Sequence, residues 1–212
     1  MSEKTGRSQS RNLREDCVAE GLRIVSEKGV EALSLREVAR RLGVSHQAPY
    51  KHFASRDHIL AEMVRQSYAS FAQFLEQRPI TNNAPDDLGA MGKAYLEYAF
   101  AHPLQYRLMF GTPLPPPENH PAMMEEARHA FGLLQKGIAD VHAMRADPQA
   151  EARTDFDAFF VWSALHGLAA IMQSSVLNTL DLAPGSVDRM PEETLNRIGW
   201  MLGLDDPSEC AS

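Results

Sequence analysis

The sequence predicts an all-α protein of about nine helices, and three observations predict it. Apolar residues recur at i, i+3, i+4 and i+7 in one window after another. No window alternates apolar and polar side chains as a half-buried strand would. The breaks carry helix punctuation: Gly after the last periodic position, and Ser, Asp or a Pro-acid pair before the next. At 212 residues the chain suits one or two domains and can bury a real core.

Residues 1–11 are polar, with Lys4, Arg7 and Arg11 and no periodicity, and read as a disordered arm. From about Asn12 to Lys28, Val18, Leu22 and Val25 recur at helical spacing beside Cys17 and Ile24, and Gly29 ends the helix. Ser34 and Glu37 have capping-box spacing, so a second helix starts at Leu35. Leu35, Val38, Ala39 and Leu42 are its apolar stripe, and Gly43 stands where a left-handed cap belongs. Ser45 can cap a third, short helix to about Phe53. Pro49 has no N–H and disfavours helix at Ala48, so this helix is expected to begin one turn late. Two short helices across a tight Gly turn are a helix-turn-helix, and the first helix makes residues 12–55 a three-helix head.

Ser55 and Asp57 open a helix over 56–77, with Ile59, Leu60, Met63, Val64, Tyr68, Phe71, Ala72 and Leu75 in phase. It is the natural coupler between the head and a body over 78–205. Pro85-Asp86-Asp87 starts a helix to His102, and Pro103 starts a short one to Phe110. Gly111–Pro121 holds five of the chain's thirteen prolines and reads as a loop. A helix from Ala122 to about Arg145 follows. Asp147-Pro148 starts another, Gln149 to Leu180, apolar nearly all round from Phe156 to Leu177 and so expected to be buried on all sides. Pro191-Glu192-Glu193 opens the last helix, which ends at Gly203, and residues 206–212 are a polar tail.

The surface of the short helix is distinctive. His46, Gln47, Tyr50, Lys51 and His52 crowd hydrogen-bonding groups above the apolar Val44 and Phe53. A major groove is read by such side chains, while phosphates are held by Lys, Arg, Tyr and helix N-termini. The run Leu35-Arg36-Glu37-Val38-Ala39-x-x-Leu42-Gly43, then Val44-Ser45-x-x-x-x-Tyr50-x-His52-Phe53-x-x-Arg56, resembles the DNA-binding motif of the tetracycline-repressor family. The resemblance covers roughly residues 12–65. It implies a DNA site of Ser34, Arg36, Ser45, His46, Gln47, Ala48, Tyr50, Lys51, His52 and Arg56. Many members have Thr-Leu-Tyr where this chain has Ala48-Pro49-Tyr50, so the hydroxyl that would reach a phosphate from the Thr position is absent.

The net charge of −7 is unevenly spread. Through Arg65 there are 12 basic and 9 acidic residues, a net of +3. Of the totals of 21 and 28, this leaves 9 and 19, a net of −10. A basic head on an acidic body suits a DNA binder with a separate regulatory part, and so mild an excess puts weight on geometry rather than on non-specific attraction. No run of 18 apolar residues exists, so no membrane span is expected, and the polar start is not a secretory signal. Cys17 and Cys210 are isolated, which reads as reduced thiols in a cytoplasm. No nucleophile elbow, phosphate-binding Gly loop, His-Glu-x-x-His or Cys-x-x-Cys is present, so neither an enzyme nor a cofactor or metal site is expected.

Trp162-x-x-x-His166-Gly167 resembles the Trp-x-x-x-His-Gly signature of one regulatory-domain branch of the same family, a looser likeness over about residues 80–205. Gly167 would let another helix approach closely, with His166 hydrogen-bonding across a core. The other reading is a ligand pocket walled by Tyr95, Tyr98, Phe110, Phe159 and Trp162, with Met109 and Met172 as adaptable filler and His166 as polar anchor. Taken singly, each aromatic reads as plain core. The resemblance further implies a homodimer through a four-helix interface of about Asp155–Leu180 and Pro191–Gly203. Two-fold symmetry would set two recognition elements about 34 Å apart on successive major grooves. The expected function is therefore a dimeric, effector-responsive regulator, chiefly a repressor, at a pseudo-palindromic operator. The alternative is a DNA-bound scaffold, such as a nucleoid or cell-division factor, whose acidic body binds a protein in place of a small molecule.

Overall fold

The computed structural model describes residues 4–145 and 150–204. Among them are eight α-helices and no strand: α1 (Lys4–Lys28), α2 (Leu35–Leu42), α3 (Arg56–Glu76), α4 (Ala84–Ala101), α5 (Pro103–Phe110), α6 (Pro121–Met144), α7 (Ala150–Met172) and α8 (Ser186–Met201). The ninth expected helix, from Ser45 to Phe53, is instead a hydrogen-bonded turn followed by a 3₁₀ turn, Pro49–Lys51. The Asp147-Pro148 helix start and the tail with Cys210 lie outside the described residues.

Several boundaries differ from expectation for identifiable reasons. Helix α1 runs from Lys4, where a disordered arm was expected over 1–11 and helix only from Asn12. Extending an existing helix needs no new nucleus, so it continues without an apolar stripe. Helix α7 stops at Met172 rather than Leu180 because serines compete for its backbone. The Ser174 hydroxyl donates to the Ile171 carbonyl at 2.7 Å and accepts from the Val176 N–H at 3.3 Å. Helix α8 starts five residues before Pro191, behind Gly185 at φ 75°. Pro191 therefore costs it the single bond to the Val187 carbonyl. The proline-rich loop contains one short 3₁₀ turn, Pro117–Asn119.

The chain divides into two compact units, Met1–Ser70 with Leu104–Ala127, and Phe71–Pro103 with Arg128–Ser212. The expected division put all of 78–205 in one body. Residues 104–127 group with residues 1–70, and α5 and the start of α6 meet α3 there. The Tyr68 hydroxyl donates to the Met109 carbonyl at 3.1 Å, and Met123 is buried. Burial pushes the Tyr68 phenol up to about 12.

In the first unit the core is Val18, Ile24, Leu35, Val38, Phe53, Ile59 and Met63 with their neighbours. Cys17 is fully buried there, and desolvation, with Asp16 beside it, pushes its thiol up to about 11. In the second unit Leu88, Met91, Tyr95, Ile138, Val161 and Leu165 form the core. The close helix approach expected at Gly167 occurs elsewhere. A Cβ on Gly167 would meet nothing within 4 Å, whereas one on Gly92 would lie 2.5 Å from Leu195 Cδ2, where α8 crosses α4.

Candidate nucleic-acid interface and regulatory body

The local frame of the helix-turn-helix follows from its punctuation. The Ser34 hydroxyl accepts from the Glu37 N–H at 3.1 Å and so caps α2. Gly43, at φ 67°, closes α2 in the left-handed region, and the Val44 N–H reaches back to the Ala39 carbonyl at 3.1 Å. The next segment cannot make an α-helical bond from residue 49 to Ser45, because Pro49 has no N–H. The Ala48 N–H takes the Ser45 carbonyl instead, at 2.9 Å, which tightens the turn. The late start that Pro49 implied is real, but the segment stays 3₁₀. Pro49 and Phe53 are buried as its anchors.

On this frame Arg36, Ser45, His46, Gln47, Tyr50 and Lys51 are exposed, and Ala48 and His52 are half-buried. The Gln47 amide donates to His46 Nε2 at 3.0 Å, which holds the two side chains together. Among the described residues Arg36 and Lys51 have no carboxylate partner. Arg40 and Arg41 differ: both bind Glu37, and Arg41 also reaches Glu20 and Glu27. These hydrogen bonds, from Arg40 first and then Arg41, hold the Glu37 carboxyl at about 2. Arg56, expected to hold a phosphate, is part-exposed and lies 3.6 Å from Asp57. It donates to the Leu33 carbonyl at 3.2 Å and the Val30 carbonyl at 2.8 Å, and so pins the turn before α2.

A carboxylate that sequence reasoning passed over organises the same unit. Glu62 receives Arg65 at 2.9 and 3.0 Å, Gln66 at 2.9 Å and Arg14 at 3.0 and 3.2 Å. Burial alone would raise its pKa, but the hydrogen bonds from Arg65, Arg14 and Gln66 outweigh that and bring it to about 2. The pair Glu62–Arg65 was readable at i, i+3 spacing. Arg14 was not, because 48 residues separate it from Glu62.

The residues expected to wall a ligand pocket fall into separate aromatic groups. In the first unit Phe110 packs against Tyr68 and Tyr106, near the buried Met109. In the second, Tyr95 and Tyr98 pack on Phe71, and Tyr98 also meets Phe74 and His102. Trp162 joins Phe131, Phe159 and His166, with Met172 half-buried further along α7. Burial lowers the pKa of His166, which keeps it neutral near pH 7. An open cleft of about 420 Å³ has none of these residues in its walls. Phe74, Arg78, Pro79, Ala90, Lys93 and Glu97 line it, among others. His142, passed over as one of several scattered histidines, forms a buried pair with Asp157 at 3.1 Å. His142 also reaches Thr154 at 3.3 Å and so ties α6 to α7.

Helix α7 is not buried on all sides. Phe156 is 78% and Phe159 58% exposed, and Phe160 and Ile171 are exposed as well. Apolarity all round does not show which face a partner within the chain will cover. Here α4 and α8 take one face and leave the phenylalanines open.

A capped α2, a Gly turn and an exposed polar 3₁₀ turn on buried anchors, in a chain that is otherwise helical among the described residues, define a helix-turn-helix regulatory protein. The chain belongs to the tetracycline-repressor family. Residues 88–198, over half of it, match the tetracyclin repressor-like C-terminal domain, and residues 18–63 match the bacterial regulatory proteins of the tetR family. It is 28% identical over 127 residues to the HTH-type transcriptional regulator Rv1816 of Mycobacterium tuberculosis, covering 56% of this chain and 54% of that protein. Mb1846 of Mycobacterium bovis matches to the same extent, so the chain spans about half the length of the curated relatives it matches. A protein of unknown function from Rhodococcus sp. RHA1 superposes with a TM-score of 0.70 at 25% identity, over 88% of this chain and 93% of that one. A tetR-family regulatory protein from Rhodococcus RHA1 shares the fold, with a TM-score of 0.66 at 20% identity over 92% and 98%. No helix among the described residues is long and apolar enough to cross a membrane.

Proposed function

We propose that the protein is a homodimeric, effector-responsive transcriptional repressor that reads a pseudo-palindromic operator. The observation that carries this reading is the exposed row His46, Gln47, Tyr50 and Lys51 on a turn fixed by Gly43 and Pro49. Gln47 and His46 reach base edges, and a bidentate Gln–adenine pair discriminates by about 1–3 kcal/mol. Lys51, Tyr50, Ser45 and Arg36 hold phosphates, and the Ser34 hydroxyl keeps its proton to donate. Arg56 supports the turn in place of a phosphate contact. The exposed phenylalanines of α7 meet the same face of a second copy, which removes an apolar surface that water penalises.

Helix α3 carries residues of both units and is the coupler. An effector in the body, near Trp162 and His166, binds two head spacings with different affinity and shifts their populations by about 1–3 kcal/mol. The experiment is binding to DNA flanking the protein's own gene, in overlapping fragments across a salt series. One fragment should bind far more tightly than the rest, at two protomers per site. Lys51→Ala should weaken all sequences alike and reduce the salt slope by about one. Uniform weak binding to every fragment would refute an operator in that region, and an unchanged slope would remove Lys51 from the phosphate contacts.

A further inference from the structure

Resting on the DNA-binding reading above, we infer that Arg14 is a positioning residue for operator recognition: Glu62 holds its guanidinium over the ring of Phe53, the buried anchor of the recognition turn. The guanidinium carbon lies 5.3 Å from the Phe53 ring centroid, within cation–π range. Both terminal nitrogens of Arg14 engage Glu62, Nη1 on Oε1 at 3.2 Å and Nη2 near Oε2 at 3.0 Å. A bidentate pair fixes the plane of the guanidinium as well as its place. Phe53 is only 3% exposed, and its N–H bonds to the Pro49 carbonyl at 3.0 Å. The ring and the turn bearing Tyr50 and Lys51 therefore move together.

The same carboxylate is linked to α6 through Arg65. Arg65 binds Glu62 and also Glu126 at 3.2 Å. One continuous series of contacts thus runs from Glu126 on α6, through Arg65 and Glu62 on α3 and Arg14 on α1, to Phe53 beneath the DNA-facing turn. Each link lies in the first unit. Arg14 is half-exposed, so its removal opens no large cavity. What it contributes is the orientation of a ring that the hydrophobic core alone would hold less firmly.

A phosphate contact and a positioning contact differ in a measurable way. Losing a phosphate contact reduces the salt slope by about one, whereas losing a positioning contact lowers specific affinity with the slope intact. The test measures full-length Arg14→Met and Arg14→Lys on the operator fragment and on unrelated DNA across a salt series. Lys51→Ala serves as the phosphate control. Arg14→Met should weaken operator binding about tenfold, leave unrelated DNA unchanged and keep the wild-type slope. Arg14→Lys should restore little, because an ammonium cannot make the planar bidentate pair. A slope reduced by one, or equal weakening on unrelated DNA, would overturn the proposal in favour of direct phosphate contact.

A second readout needs no DNA. The Arg14 Nε–H resonance should be shifted by the Phe53 ring current, should lose that shift in Phe53→Leu and should move in Glu126→Gln. Insensitivity to Phe53→Leu refutes the positioning geometry, even where operator binding is strong. Ring-current sensitivity in a protein that binds none of these fragments specifically would instead refute the operator in that region, on which the role depends.

Discussion

At the residue scale, the most consequential side chain is a buried carboxylate that bears no motif. Glu62 is held at about 2 against an ordinary value of 4.5, so its ionised form is stabilised by folding. A depressed carboxyl stabilises the fold fully above its unfolded value and loses that contribution as pH falls through the folded value. The window is therefore from about 4.5 down to about 2, and the contribution at neutral pH is at most about 3 kcal/mol, reduced by the solvent around Arg14. Glu62→Gln should melt below the wild type at pH 7, and the gap between them should close on acidification to pH 2. Melting curves across that range check it, and a gap independent of pH would mean the ion pairs contribute nothing net. Arg56 teaches the same lesson from the other side. Its motif position implied a phosphate, but its guanidinium donates to the Val30 and Leu33 carbonyls of the turn before α2.

At the scale of single elements, α2 was legible residue by residue because everything that sets it lies within ten positions. The Ser34 cap, the Leu35–Val38–Ala39 stripe and the Gly43 stop all appear as the spacing implied. Ser34→Ala should destabilise the protein by about 1 kcal/mol, and Gly43→Ala, forced to φ 67°, by about 1 kcal/mol or more. Chemical denaturation measures both, and a neutral Gly43→Ala would show that α2 can end another way. The recognition element was legible in composition but not in form. A missing N–H at Pro49 was foreseen to delay a helix. That the remaining donors would settle into 3₁₀ bonds depended on where Pro49 and Phe53 are buried. The ends of α7 and α8 were misjudged by similar competition, since serine side chains and one proline shift a helix end by several residues at little cost.

At the scale of the whole molecule, the proposed homodimer would cover the open apolar face of α7. Phe160→Glu places a charge on an exposed position, so the protomer should stay folded while the dimer dissociates at concentrations about tenfold higher or more. Sedimentation velocity with far-ultraviolet circular dichroism separates the two effects. An unaltered dimer would move the interface off this face, leaving the phenylalanines to a different protein. Operator affinity should fall with the dimer, because each half-site then binds alone.

The sequence by itself determined the helix class, the order of elements, the capped α2 and the polar turn of the DNA-binding head. These depend on periodicity and punctuation, which act over a few residues. Only the tertiary structure decided what sits against what. It joined residues 104–127 to residues 1–70, tied Arg56 to the Val30 and Leu33 carbonyls, brought Arg14 to Glu62 across 48 positions and paired His142 with Asp157. It also spread the expected pocket residues over separate aromatic groups and left one face of α7 open. The physical reason is that burial and pairing are properties of packed surfaces. Two side chains compete for one partner in space, and no local pattern records which of them the fold will place there.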